Sequence, residues 1–170
     1  MIKKLILLAS ICVVPLTAAQ AQTILPNPTN PEAQAPRPAR SRGIPTDLAV
    51  EAAQAANAAC LAAGAKTTTI VIDQEGVPIA MISGDGAAAI TQRIAMGKAM
   101  IALKIKAPSA DGAKADPAVM APLGVARPGG LPIMAGSDVV AAIAVSGAPS
   151  GQTDATCATA GIAKIQSRVK

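Results

Sequence analysis

Ser146 follows an apolar run and precedes a glycine, the setting in which a hydrolase presents its nucleophile. That elbow needs glycine on both flanks at the right spacing and a histidine to take the proton. The 170-residue chain has no histidine, so a Ser-His-Asp triad is excluded. A Ser–Lys pair with Lys98 or Lys164 stays formally open, but no spacing supports it, and a turn or capping role fits Ser146 better. Asp73, Asp85, Asp138 and Asp154 all fall at expected turns or helix starts, where carboxylates cap backbone amides. Two of them would make an acid–base pair only if the fold brought them together, so no catalytic set is assigned. The common zinc and iron triads cannot be built without histidine. Arg93 and Lys98 share one expected helix beside the Gly84-Asp85-Gly86 loop. Either alone reads as solvated surface charge; together they can hold an anionic group. Methionines are usually core filler, but a thioether can ligate haem iron, and Met96 and Met134 are the candidates.

Thr46 can cap the first helix, with Leu48, Ala52, Ala55, Ala59 and Ala62 at helical spacing and Gly64 as a stop. Thr67 to Asp73 is a β-branched strand, turned at Gln74-Glu75-Gly76 into a second arm, Val77 to Ile82. Ala87 to about Ile105 reads as the second helix, with Ile90, Ile94, Ile101 and Ile105 on one side and Arg93 and Lys98 off it. Pro108 to Pro128 is a long connection with one helical turn near Pro117 to Met120. Leu131 to Met134 and Asp138 to Val145 form another hairpin around Gly136-Ser137. A final helix after Gly151 carries Ala155, Ala158, Ile162 and Ile165 on one face. Hairpins alternating with helices predict an α+β fold, a central antiparallel sheet with flanking helices. The chain has no Phe, Tyr or Trp, so Ala, Val, Ile, Leu and Met must make the core.

Residues 1–21 read as a secretory signal: Lys3 and Lys4, an apolar stretch from Leu5 to Leu16, then Ala19-Gln20-Ala21. The apolar stretch is short of the roughly 20 residues of a membrane span. The expected location is therefore periplasmic or secreted, with no stable membrane span after cleavage. Residues 22–45 read as a proline-rich disordered linker and residues 46–170 as the folded domain. The formal charge of +5 overstates the domain, because two lysines leave with the signal and three arginines lie in the arm. With no aromatic platform for a base, nucleic acid is disfavoured as a partner. Cys12 lies inside the signal, so Cys60 and Cys157 are the even pair that remains after export and a candidate disulfide. Bridging them requires the first and last helices to be neighbours.

Val71-Ile72-Asp73 with Gly76, Gly84-Asp85-Gly86-Ala87, Lys98-Ala99, Gly129-Gly130-Leu131-Pro132-Ile133, Val139 to Gly147, and Asp154 with Gly161 occur in an order that resembles the GlcG/HbpS-like family of haem-binding proteins, over roughly Thr46 to Gln166. The resemblance implies a compact α/β domain with a profilin-like antiparallel sheet. It also implies homo-oligomers (octamers in some members) and a link to haem binding and degradation. The chain departs from the family pattern at Ala141 and Ala144, which replace glycines and would fill space beside a ligand, and at Ile82-Ser83, where an arginine is common. Haem would have to be held without His or Tyr.

The leading expectation is an exported oligomer that binds a small molecule, haem or a related tetrapyrrole. Arg93 and Lys98 would meet its propionates, and the loops at Asp85-Gly86 and Gly129-Gly130 would shape the pocket. Two other readings stay open: an oligomer that binds partners without ligand, and an enzyme on a small oxidised metabolite using Asp85 or Asp73.

Overall fold

A computed structural model describes residues 43–124 and 126–170. The expected signal, residues 1–21, and nearly all of the expected linker, residues 22–45, lie outside the described residues. Helix α1 spans Thr46–Ala62, strand β1 Thr68–Asp73 and β2 Pro78–Ser83. Helix α2 spans Ile90–Ile105. A 3-10 turn at Ser109–Lys114, the short helix α3 at Pro117–Met120 and a second 3-10 turn at Ala121–Leu123 follow. Strands β3, Gly130–Ala135, and β4, Asp138–Ser146, lead into helix α4, Gly151–Ile165, and a last 3-10 turn at Gln166–Arg168.

The four strands form one antiparallel sheet in the order β2-β1-β4-β3. β1 and β4 are central, and every residue of β1 is buried. Alternation along a strand sends successive side chains to opposite faces. Val71, Ile143 and Val145 therefore pack with α1 and α4, while Ile70, Ile72, Ala142 and Ala144 pack under α2. The prolines sit on edge strands, Pro78 opening β2 and Pro132 in β3, where a missing N–H costs no central ladder bond.

Alanine makes the layers thin. Ala49, Ala52, Ala53 and Ala56 of α1 are fully buried, and α4 presents Gly161 to them. A Cβ at Gly161 would lie 2.6 Å from the Ala52 carbonyl oxygen. Cys60 and Cys157 are bonded across these two helices, with Cα atoms 5.4 Å apart, so the expected disulfide is present. At the rim, Glu51 of α1 pairs with Lys164, at 3.7 Å, and with Arg168.

The structure corrects several local readings. Thr46 is the first helical residue, Pro45 holds the cap position, and no side chain caps that end. Ile44, counted with the arm from sequence, is buried in the core. Ala55 and Ala59 are only half-buried and Ala62 is exposed, because in a helix so rich in alanine several faces look equally apolar. The isoleucine side of α2 is only in part its core side. Ile90 and Ile94 are 45% and 40% exposed, whereas Thr91, Ala95, Lys98, Ala99, Ile101 and Ala102 are buried. Small residues face the sheet because the helix must lie close to Ala142 and Ala144.

Candidate functional site

Turning α2 by that much moves Lys98 from the surface to the interior, where its side chain is 3% exposed. Its Nζ donates to Asp154 Oδ2 at 2.7 Å and to the Val145 carbonyl at 3.0 Å. Asp154 Oδ1 accepts from the Ala148 amide at 3.0 Å, so one carboxylate ties α2, the end of β4 and the first turn of α4 together. Buried charges persist only when paired and hydrogen-bonded, and both conditions are met here. The reading of Lys98 as solvated charge is therefore corrected, and Asp154 does more than cap a helix. That cap is Ser150, whose hydroxyl accepts from the Thr153 amide.

Gly129 and Gly130 cover this ion pair. A Cβ on Gly129 would lie 2.8 Å from Lys98 Nζ, and one on Gly130 only 2.3 Å from the Lys98 carbonyl. The Gly130 amide donates to Ser109 Oγ, whose hydroxyl donates to the Arg127 carbonyl, so the long connection is stitched to β3. The glycines thus pack over the lysine and line none of the described cavities.

The connection lies across α2 at Gly97, where a Cβ would meet the Leu123 carbonyl oxygen at 2.5 Å. Two clefts open on either side of this strap. On one side, Arg93, Ile94, Gly97, Leu123 and Arg127 are among the walls of a cavity of about 390 Å³. Its lining is largely apolar, with two exposed guanidiniums. On the other side, Met81, Met96 and Met100 line a more open cleft that shares Arg93, Gly97, Pro122 and Leu123. Ile94, Lys98 and Arg127 also border a third, more polar cavity of about 240 Å³ at the start of α4.

The remaining sequence candidates fall apart in space. Asp85 and Gly86 occupy an exposed turn at which Gly86, with φ +76°, rests against the Lys66 side chain. They line no described cavity. Asp73 holds its own turn, its Oδ1 accepting from the Glu75 and Val77 amides at 2.9 Å, while its buried Oδ2 has no partner among the described residues. Met96 and Met134 do not share a described cavity. Ala141 and Ala144 are fully buried in opposite faces of the sheet, so their methyl groups fill core and not ligand space. Among the described residues no group of three or more His, Cys, Asp or Glu could hold a metal ion. Sequence reasoning missed Arg127 and the Lys98–Asp154 pair. The one available signal was Lys98 standing within the stripe Ala95, Ala99 and Ala102, as a lysine does when it is buried.

Residues 44–163 match the model of a family described as haem degrading protein HbpS-like. The chain belongs to the HbpS-like family. A crystal structure of HbpS is 33% identical, over 73% of this chain and 91% of that one, with a TM-score of 0.67. A double mutant of HbpS from Streptomyces reticuli is 28% identical over 90% and 97%, also at 0.67. A PduOC:heme complex, 16% identical over 72% of this chain and 95% of that one, shares the fold at 0.66. No curated protein matches the chain. The HbpS-like assignment agrees with the mixed fold, the four-stranded antiparallel sheet and the flanking helices described above.

Proposed function

We propose that this chain is an exported binding protein for haem or a related tetrapyrrole, held in the cavity that α2 forms with residues 121–124 and Arg127. One observation carries the reading: Arg93 and Arg127 flank a mostly apolar cavity of about 390 Å³. Small-molecule sites commonly span about 300–1,000 Å³ with a few charged groups on apolar walls. A guanidinium fork matches a carboxylate bidentately, so each arginine suits one propionate. The apolar walls suit the macrocycle. Iron would supply the redox and oxygen chemistry of the bound group. This chain offers it no His or Tyr, and its thioether candidates beside the site are Met81, Met96 and Met100 in the adjoining cleft.

Lys98 supports the site from beneath, held by Asp154 and covered by Gly129 and Gly130. Asp85 and Gly86 take no part in this reading. The family description and the haem complex of the same fold support it. Export is supported by the N-terminal Lys3-Lys4, apolar and Ala-Gln-Ala pattern and by the disulfide, a bond of oxidising compartments. No helix among the described residues is long and apolar enough to cross a membrane.

Titration with haem, followed by difference absorption, tests the proposal. The expected result is a saturable Soret shift at micromolar haem; a linear rise without saturation would overturn it. A second reading, a partner-binding oligomer without ligand, draws on the exposed Ile90, Ile94 and Met81 beside the cavity. A native mass spectrum separates the two: the first predicts an assembly that takes up haem mass, the second an assembly that never does.

A further inference from the structure

The third cavity adjoins the haem site proposed above and shares Ile94, Lys98 and Arg127 with it, but its lining is more polar. At this end of the sheet three hydroxyls stand in one row across β2, β1 and β4. Thr68 is registered with Ser83 on one side and with Ser146 on the other. All three project to the α2 side, because Ser146 continues the alternation of Ala142 and Ala144. Thr68 bonds Ser83 at 2.9 Å and Thr91 at 2.8 Å, and Thr91 donates to the Ala88 carbonyl at 2.6 Å. Those hydroxyls satisfy one another. Ser146 is left out of that network: the residue is 4% exposed and lines the cavity, to which its hydroxyl opens.

Lys98 has a donor to spare on the same wall. An ammonium group carries three N–H donors, and two of them go to Val145 and Asp154. Arg127 stands on the wall of the same cavity with its guanidinium exposed. A hydroxyl open to the cavity and an unspent ammonium N–H can both donate to an acceptor placed there. Lys98 and Arg127 against Asp154 leave one positive charge, which matches a monoanion better than a phosphate dianion. The cavity, about 240 Å³, is small and more polar than its neighbour.

We propose that this cavity binds a small carboxylate, with one oxygen accepting from Ser146 Oγ and Lys98 Nζ and the carboxylate paired with Arg127. The test is an NMR titration of the whole folded protein with sodium acetate and sodium propionate, with inorganic phosphate and chloride as comparators. The amide signals of Thr91, Gly147 and Gly151 report the site. Saturable shifts are expected below about 10 mM carboxylate, a range typical of weak small-ligand binding. Phosphate should bind more weakly. Arg127→Leu, which removes an exposed side chain, should weaken acetate about tenfold or more, as loss of a charge-assisted bond does. Ser146→Ala should weaken it about threefold with the fold intact. Shifts that stay linear in acetate, match those from chloride, or persist in both variants would overturn the proposal. Haem is absent from these titrations, so failure to bind haem and failure to bind carboxylate are read separately.

Discussion

The Lys98 ammonium is almost wholly buried, at 3% exposure, and is held by Asp154 and the Val145 carbonyl. Removing one member of a buried pair leaves the other uncompensated, at a cost of about 3–5 kcal/mol, whereas replacing both by apolar groups is often nearly neutral. Lys98→Met alone should therefore lower the unfolding free energy in urea by about that amount, and Lys98→Met with Asp154→Leu should recover most of it. Equal losses in the single and double variants would show that the pair does not act as a unit. Only the alanine stripe around Lys98 hinted at this in sequence, because two of the isoleucines read as the core side of α2 turn outward and the alanines turn inward. Apolar periodicity marks a face by size, and here closeness to the sheet selects small residues instead. Arg127 was equally hidden, in a connection with no period to say which side chains meet α2.

Elements were far easier to read. Both hairpins, the turn at Pro117 to Met120 and the helices following Thr46 and Gly151 are where β-branched runs, glycines and prolines place them. What the pattern lacked was the contact between elements, and two glycines carry much of that. At Gly161 a Cβ would strike the Ala52 carbonyl of a helix fixed by the disulfide. At Gly97 it would strike the Leu123 carbonyl of a surface strap. Both substitutions by alanine gain about 1 kcal/mol of helix propensity, and overpacking costs about 1–3 kcal/mol where neighbours cannot yield. Gly161→Ala should thus lower the urea midpoint clearly. Gly97→Ala should leave it nearly unchanged while displacing the strap and weakening haem binding. The reverse order of stability loss would mean that the strap, not the α1–α4 contact, is the stiffer part.

Over the whole domain, a core without aromatic residues buries little area per residue, and the covalent cross-link between α1 and α4 compensates. The bond joins residues separated by 97 positions, and closing a loop of that size is worth up to about 4–5 kcal/mol in the chain-entropy model. Cys60→Ala with Cys157→Ala should lower the unfolding free energy by an amount approaching this, and dithiothreitol should reproduce it; an unchanged urea midpoint would show the bond to be dispensable. Sequence supplied the pairing because, of three cysteines, Cys12 falls in the expected signal and leaves Cys60 and Cys157 only each other. It could not supply the clefts, which arise only where residues 121–124 and Arg127 lie against α2. The most direct measurement on those clefts compares haem affinity of the native protein with that of the Arg93→Ala, Arg127→Ala double variant by Soret titration. Loss of two charge-assisted contacts at about 1.5–3 kcal/mol each predicts a drop of roughly a hundredfold or more. Equal affinities in the two proteins would contradict the placement of haem between those arginines.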